Sequence, residues 1–332
     1  MAAPRITEAL ISAVTAAATD AIGAPVHLDP AWRPPVQGAV GHLLGLRVAE
    51  GVADQQGEPL VVKVFPAAAG ERAATEAHAL RIAGVLGDLV PRLVARGRSD
   101  DGMPFVIMNR LPGARWADRR PGLSAAEERH VVAEVGAIAG RLHAVTGPRF
   151  GALTDTGPDT AADAAGTAGE RRPGLRSWTD ALVEGTVAEF RAAGGEEELA
   201  AGIERLAGTT PLDEEIPPSF CHQDLNGGNV LLRHLPGTLP AISGVVDLER
   251  AEWGDPMHDL ALTVIHLMHE RESGLVPALL DAHGGIDDAA RARLRLHVVL
   301  RMASEWAWVT IDRPADRELK TATLAAWIRE RV

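Results

Sequence analysis

Residues 219 to 232 read SFCHQDLNGGNVLL, and residues 242 to 249 read ISGVVDLE. Asp224 precedes Asn229 by five residues, and Asp247 ends the second apolar run. NVLL and ISGVVDLE have the apolar, β-branched character of short strands. If they pair, Asn229 and Asp247 meet at neighbouring strand ends while Asp224 projects from the loop ahead of them. An amide oxygen and a carboxylate brought together make a hard-oxygen site, the kind Mg²⁺ shares with phosphate and water. A further carboxylate nearby can orient a hydroxyl and accept its proton. Those are the parts phosphoryl transfer requires, since positioning and charge neutralisation do most of its work. The structural alternative for the same three residues is a turn held by Asx side-chain bonds.

Composition singles out a few more positions. The 332 residues include three asparagines, two lysines and no tyrosine, against heavy use of Ala, Gly, Arg and Pro. Such a bias removes Lys and Asn wherever another residue serves, so the survivors attract interest. Asn226 and Asn229 both fall in the loop above, Asn226 where it would shape the Gly227–Gly228 turn. Lys63 falls in PLVVKVF, a β-branched strand. Arg replaces Lys almost everywhere else, and a compact ammonium facing a phosphate is a reason for it not to.

The bulk properties limit the function class. A hydrophobic content of 46% supports a real core, and a net charge of −12 argues against a nucleic-acid partner, which needs a basic face. The acidic balance suits a cationic small molecule. The single cysteine, Cys221, excludes an intrachain disulfide and a Cys-rich zinc site. The amino-terminal segment reads as an amphipathic helix, not a signal peptide, and no apolar run is long enough to span a bilayer. The expected location is the cytoplasm.

The elements that must position these residues fall into two groups. PVHLDPAW, HLLGLRVAEG and EPLVVKVFP read as consecutive strands, followed by a helix in AAGERAATEAHALRIAGVL. PRLVARGRSDDGMPFVIMNRLPG reads as a hairpin turning at Ser99 to Gly102. Beyond Gly113 a long helix starts at Ser124, with Glu127 completing a capping box. Residues 151–175 lack periodicity and read as a loop, helices follow around 178 to 207, and helix dominates after residue 248. The expected class is α+β, with a small antiparallel-sheet lobe over 1–112 and a larger, mainly helical lobe over 113–332.

His222, Asp224 and Asn229 fit H-x-D-x-x-x-x-N, and VVDLERAEWGDPMHDLA fits a downstream V-[IV]-D-x-[ED] … G-D-P-x-x-D-L-A pattern. The chain thereby resembles the aminoglycoside phosphotransferase and choline-kinase-like family, which has the two-lobed protein-kinase-like fold. The resemblance implies an ATP- or GTP-dependent kinase using Mg²⁺, with Asp224 as base and Asn229 and Asp247 as metal ligands. Lys63 becomes the strand lysine that grips phosphates, Glu76 its helix partner and Glu71 the alternative. Met108, Asn109 and Arg110 become the interlobe segment whose backbone reads the purine edge. His222 is expected to support the loop, and Asp255 and Asp259 to cap a helix and hold the loop.

Asn226 stands where protein kinases carry lysine, DLE replaces D-F-G, and no A-P-E follows, so a small hydroxyl compound is the implied acceptor. Glu249 and Glu252, with the acidic balance, suit an aminoglycoside or related antibiotic. Choline, a sugar or a hydroxy amino acid remains an alternative acceptor. A non-catalytic nucleotide-binding regulator and a metal-dependent hydrolase remain alternative roles.

Overall fold

The computed structural model describes residues 6–34, 36–37, 41–49, 59–153, 174–212, 215–270 and 272–332. The chain divides into two compact units, the first made chiefly of Met1–Gly122 and Gly227–Ala251, the second of Leu123–Ala152, Thr156–Asn226 and Glu252–Val332.

In the first unit, helix α1 (Glu8–Ile22) starts where the Thr7 hydroxyl accepts the Leu10 N–H at 3.1 Å. Leu10, Val14 and Ala18, one helical turn apart, form its buried stripe. The stripe packs against an antiparallel sheet ordered β1 (Val26–Leu28), β2 (His42–Val48), β3 (Leu60–Val64), β5 (Pro104–Asn109), β4 (Leu93–Arg98). Leu60, Val62 and Val64 enter the same core as α1, so the strand alternation aims Lys63 to the other face. Both faces of β3 are covered, and all five of its residues are buried. The β4–β5 turn has Gly102 at φ 83°, its N–H donated to Ser99 O at 2.9 Å. Helix α2 (Gly70–Ile82) follows β3 and carries Glu76 on its buried side.

A second small sheet in this unit joins β6 (Ala114–Arg115), before the single turn α3 (Trp116–Arg119), to a hairpin from far along the chain. That hairpin is β9 (Val230–Arg233) and β10 (Ala241–Val245), with Val230 opposite Val245. The two apolar runs of the sequence do pair.

In the second unit, helix α4 (Ala125–His143) begins at the Ser124–Glu127 capping box. Strands β7 (Gly151–Ala152), β11 (Glu252–Gly254) and β8 (Ser219–Cys221) form a three-stranded sheet. Helices α5 (Leu175–Ala192), α6 (Glu197–Thr209), α7 (Pro256–His269), α8 (Val276–His283), α9 (Asp288–Asp312) and α10 (Arg317–Arg329) complete it. α4 and α8 approach closely at Gly136, where a Cβ would meet Leu279 O at 2.2 Å. No helix among the described residues is long and apolar enough to cross a membrane. Residues 154–173 of the expected 151–175 loop lie outside the described residues.

Candidate active site

Lys63 is 5% exposed and its Nζ lies 2.6 Å from Glu76 Oε2, 2.6 Å from Asp247 Oδ1 and 2.9 Å from Glu249 Oε2. Burial alone would lower its pKa, but the three carboxylates reverse that and hold the ammonium charged well above its ordinary range. Glu76 is 1% exposed, and burial pushes its carboxyl up to about 7 while Lys63 pulls the other way. Glu71, the alternative partner, is exposed on the same helix. Glu249 also accepts from Arg72 Nη1 at 2.9 Å. Among the described residues, the nook sets three carboxylates against two cations.

Two contacts of this group have no counterpart in the sequence reading. Arg72 lies one helical turn before Glu76, and that spacing is the signal for a shared face. Gly41 is the other: a Cβ there would lie 2.8 Å from Lys63 Cγ and Cε, so only glycine leaves the lysine stem its path.

The β9–β10 hairpin explains how Asp247 arrives. Asn229 and Val246 flank the pairing, with the Val246 N–H donated to Asn229 O at 2.9 Å, so Asn229 and Asp247 stand at one end of it. Asp247 has φ 69°, a left-handed conformation that Asp tolerates better than most residues. At the end of β5, Met108 is buried within the sheet, paired with Val61 and Leu93. Asn109 N–H goes to Arg92 O at 3.2 Å and Arg110 N–H to Pro59 O at 2.7 Å.

Asp224 belongs to the second unit. Asn226 Nδ2 donates to its Oδ1 at 2.8 Å and to its carbonyl at 3.1 Å. The rare Asn226 thus holds a carboxylate, where the sequence suggested only turn-shaping. His222 is fully buried and its Nδ1 accepts the Asp224 N–H at 3.2 Å. The loop backbone is anchored by Asp259, which accepts His222 N–H at 2.9 Å, Gln223 N–H at 2.7 Å and His143 Nε2 at 2.9 Å. Burial works to raise the Asp259 pKa, but the bonds from His143 and the loop hold it below the usual carboxylate range.

Asp255 caps α7 through the Met257 N–H and meets Arg293 Nε at 3.1 Å and His297 Nε2 at 3.2 Å. Glu252, on β11, accepts from Gln223 Nε2 at 2.9 Å and lies 3.3 Å from His258 Nδ1. Cys221 is fully buried, and burial pushes its thiol well up, which leaves it inert.

A family model described as a phosphotransferase enzyme family matches residues 50–297. The chain belongs to this phosphotransferase family. No curated protein sequence matches it. Among solved structures, it is similar to an aminoglycoside phosphotransferase APH(2")-IIIa bound to GDP and kanamycin, with 16% identity, TM-score 0.61, and 96% of this chain and 98% of that one covered. A thermostable variant of aminoglycoside phosphotransferase APH(4)-Ia in complex with ADP and hygromycin B gives 16% identity, TM-score 0.62 and the same coverages, 96% and 98%. A Haemophilus somnus 129PT protein provisionally named a fructosamine-3-kinase gives 13% identity, TM-score 0.58, and coverages of 95% and 96%. At these identities the likeness establishes the fold. This member of the phosphotransferase family has the α+β, protein-kinase-like fold, with an antiparallel-sheet amino-terminal lobe and a mainly helical carboxy-terminal lobe.

Proposed function

We propose that the protein transfers the terminal phosphoryl group of ATP or GTP to a hydroxyl of a small molecule, an aminoglycoside or related antibiotic. The observation that carries this reading is the buried Lys63, fixed between Glu76 and Asp247 in a chain with two lysines. A rigid ammonium of that kind binds phosphate oxygens as a point charge, and the surplus carboxylate charge around it suits a divalent cation. Asn229 and Asp247 supply hard oxygen donors at one hairpin end, so they would hold Mg²⁺, which neutralises phosphate charge when bound. Asp224, its carboxylate oriented by Asn226, accepts the proton of the attacking hydroxyl. Met108, Asn109 and Arg110 contribute to the nucleotide site.

The similar structures hold GDP with kanamycin and ADP with hygromycin B, which supports a nucleotide donor and a polyhydroxylated, cationic acceptor. Glu252 and Glu249 add negative charge suited to such an acceptor, although both are engaged by groups of the chain itself. The fructosamine-3-kinase-named neighbour favours a second reading, in which the acceptor is a sugar derivative and not an antibiotic.

Both readings are tested by incubating the protein with Mg²⁺ and ATP or GTP. The acceptors offered are kanamycin, hygromycin B, fructosamines, choline and hydroxy amino acids, read by mass spectrometry for phosphoryl gain. Asp224→Ala is expected to lower turnover by about 10²-fold or more with nucleotide affinity retained, as loss of a positioned base implies. Equal turnover by the two proteins would remove Asp224 from the role of base. Phosphate release at full rate without any acceptor would point to a hydrolase.

A further inference from the structure

Gln223, immediately before Asp224, has φ 63°, a region that L residues rarely adopt and that glycine occupies without penalty. The chain contains 34 glycines and uses none here. The Gln223 side chain is where the difference lies. The residue is 4% exposed, and both ends of its carboxamide are engaged. Nε2 donates to Glu252 Oε1 at 2.9 Å and lies 3.1 Å from His258 Nδ1, which is itself 3.3 Å from the Glu252 carboxylate. The carbonyl oxygen accepts from the Arg301 guanidinium.

A flipped carboxamide would press its oxygen against the Glu252 carboxylate and its NH₂ against a guanidinium, so one orientation is allowed. The three partners come from β11, α7 and α9, and the Gln223 N–H is itself held by Asp259. Trp178 and His297 pack around the His258 ring, with centroids at 5.4 Å and 5.0 Å, which fixes that partner in turn.

We propose that Gln223 is a positioning residue: its carboxamide, gripped by Glu252, His258 and Arg301, locks the left-handed peptide that presents Asp224 and thereby sets turnover. The proposal rests on Asp224 acting as the base. Asp259 holds the loop by its backbone alone. The carboxamide clamp adds what backbone bonds cannot, a fixed rotation of residue 223 about its own Cα, and that rotation aims the next side chain. A residue needed only for backbone conformation would be improved upon by glycine, which also relieves the φ penalty.

The test compares Gln223→Gly with wild type in the full chain. The expected result is a lowered melting temperature, because Glu252 and Arg301 lose a buried partner, with the nucleotide KM within about twofold and kcat lowered by about tenfold or more at a temperature where the variant stays folded. Independently of any acceptor, hydrogen exchange at the Asp224 and Leu225 amides, followed by NMR, is expected to accelerate by about tenfold or more. Unchanged exchange and a kcat within twofold would overturn the proposal.

Arg301→Ala removes the same grip from the other side. It is expected to lower kcat similarly, and by less than about twofold when added to Gln223→Gly, because the two changes break one bond. Full kcat in Arg301→Ala would also overturn the clamp. Rescue of most of the loss by Arg301→Lys, which keeps a donor, would separate positioning from mere packing. If Asp224→Ala also retains full activity, the base assignment has failed; if only Asp224→Ala is inactive, the clamp alone has failed.

Discussion

Around Lys63, three carboxylates share two cations, and burial pushes one of them, Glu76, up to about 7. Around Asp259, a single carboxylate is met by two backbone N–H groups and a histidine, and its pKa is held down despite complete burial. Glu76, Glu249 and Asp259 are all buried, yet among the described residues the Lys63 cluster holds more carboxylates than cations, while Asp259 is met by three donors. A buried acid whose partners are all supplied by the chain stabilises one conformation. A buried group of acids left in excess favours a cation the chain does not itself provide.

The contrast breaks most visibly under Asp259→Ala. Removing that carboxylate orphans His143 and two buried loop donors, so unfolding free energy is expected to fall by roughly 3–5 kcal/mol with or without nucleotide. Denaturant titration checks this, and a loss below about 1 kcal/mol would show that the anchor is not structural. Asp247→Ala is expected to behave oppositely. Lys63 keeps Glu76 and Glu249, so ligand-free stability should change by no more than about 1 kcal/mol. The stabilisation by Mg²⁺-nucleotide, about 2.7 kcal/mol for wild type at a hundred times Kd, should vanish. A thermal shift that survives in Asp247→Ala would remove it from the metal site.

A smaller effect sharpens the comparison from the anchor's side. His283 lies 2.8 Å from His143, and burial, then His143, lowers its pKa from 6.5 to about 4. Between those two values the unfolded chain binds a proton there that the folded chain does not. Stability is therefore expected to rise as pH climbs through that window, and to be fully present above it. His283→Gln should flatten this slope in urea titrations at successive pH values. An identical slope would place the acid sensitivity elsewhere.

Local chemistry made several parts of the molecule legible in advance. The Ser124–Glu127 capping box, the Ser99–Gly102 turn and the β9 and β10 runs are near-neighbour features, and each is found where its residues fall. Lys63 was legible by rarity. Asn226 was noticed for the same reason, but its bond to the Asp224 carboxylate depends on loop geometry that spacing does not express. Arg72 was missed although its helical spacing from Glu76 was available. The grip of Arg301 on Gln223 spans 78 residues and had no local signal at all.

By itself, the sequence determined most of the element types, because periodicity, caps and turn residues act within a few positions of one another. Tertiary structure alone decided that Gly227–Ala251 packs with the amino-terminal sheet, and so that Lys63 meets Asp247 across 184 residues of chain. It also decided which acids meet several donors and which crowd around a shared lysine. Those outcomes depend on what each carboxylate finds once water is excluded, and burial of that kind is a property of the packed fold, not of any stretch of residues.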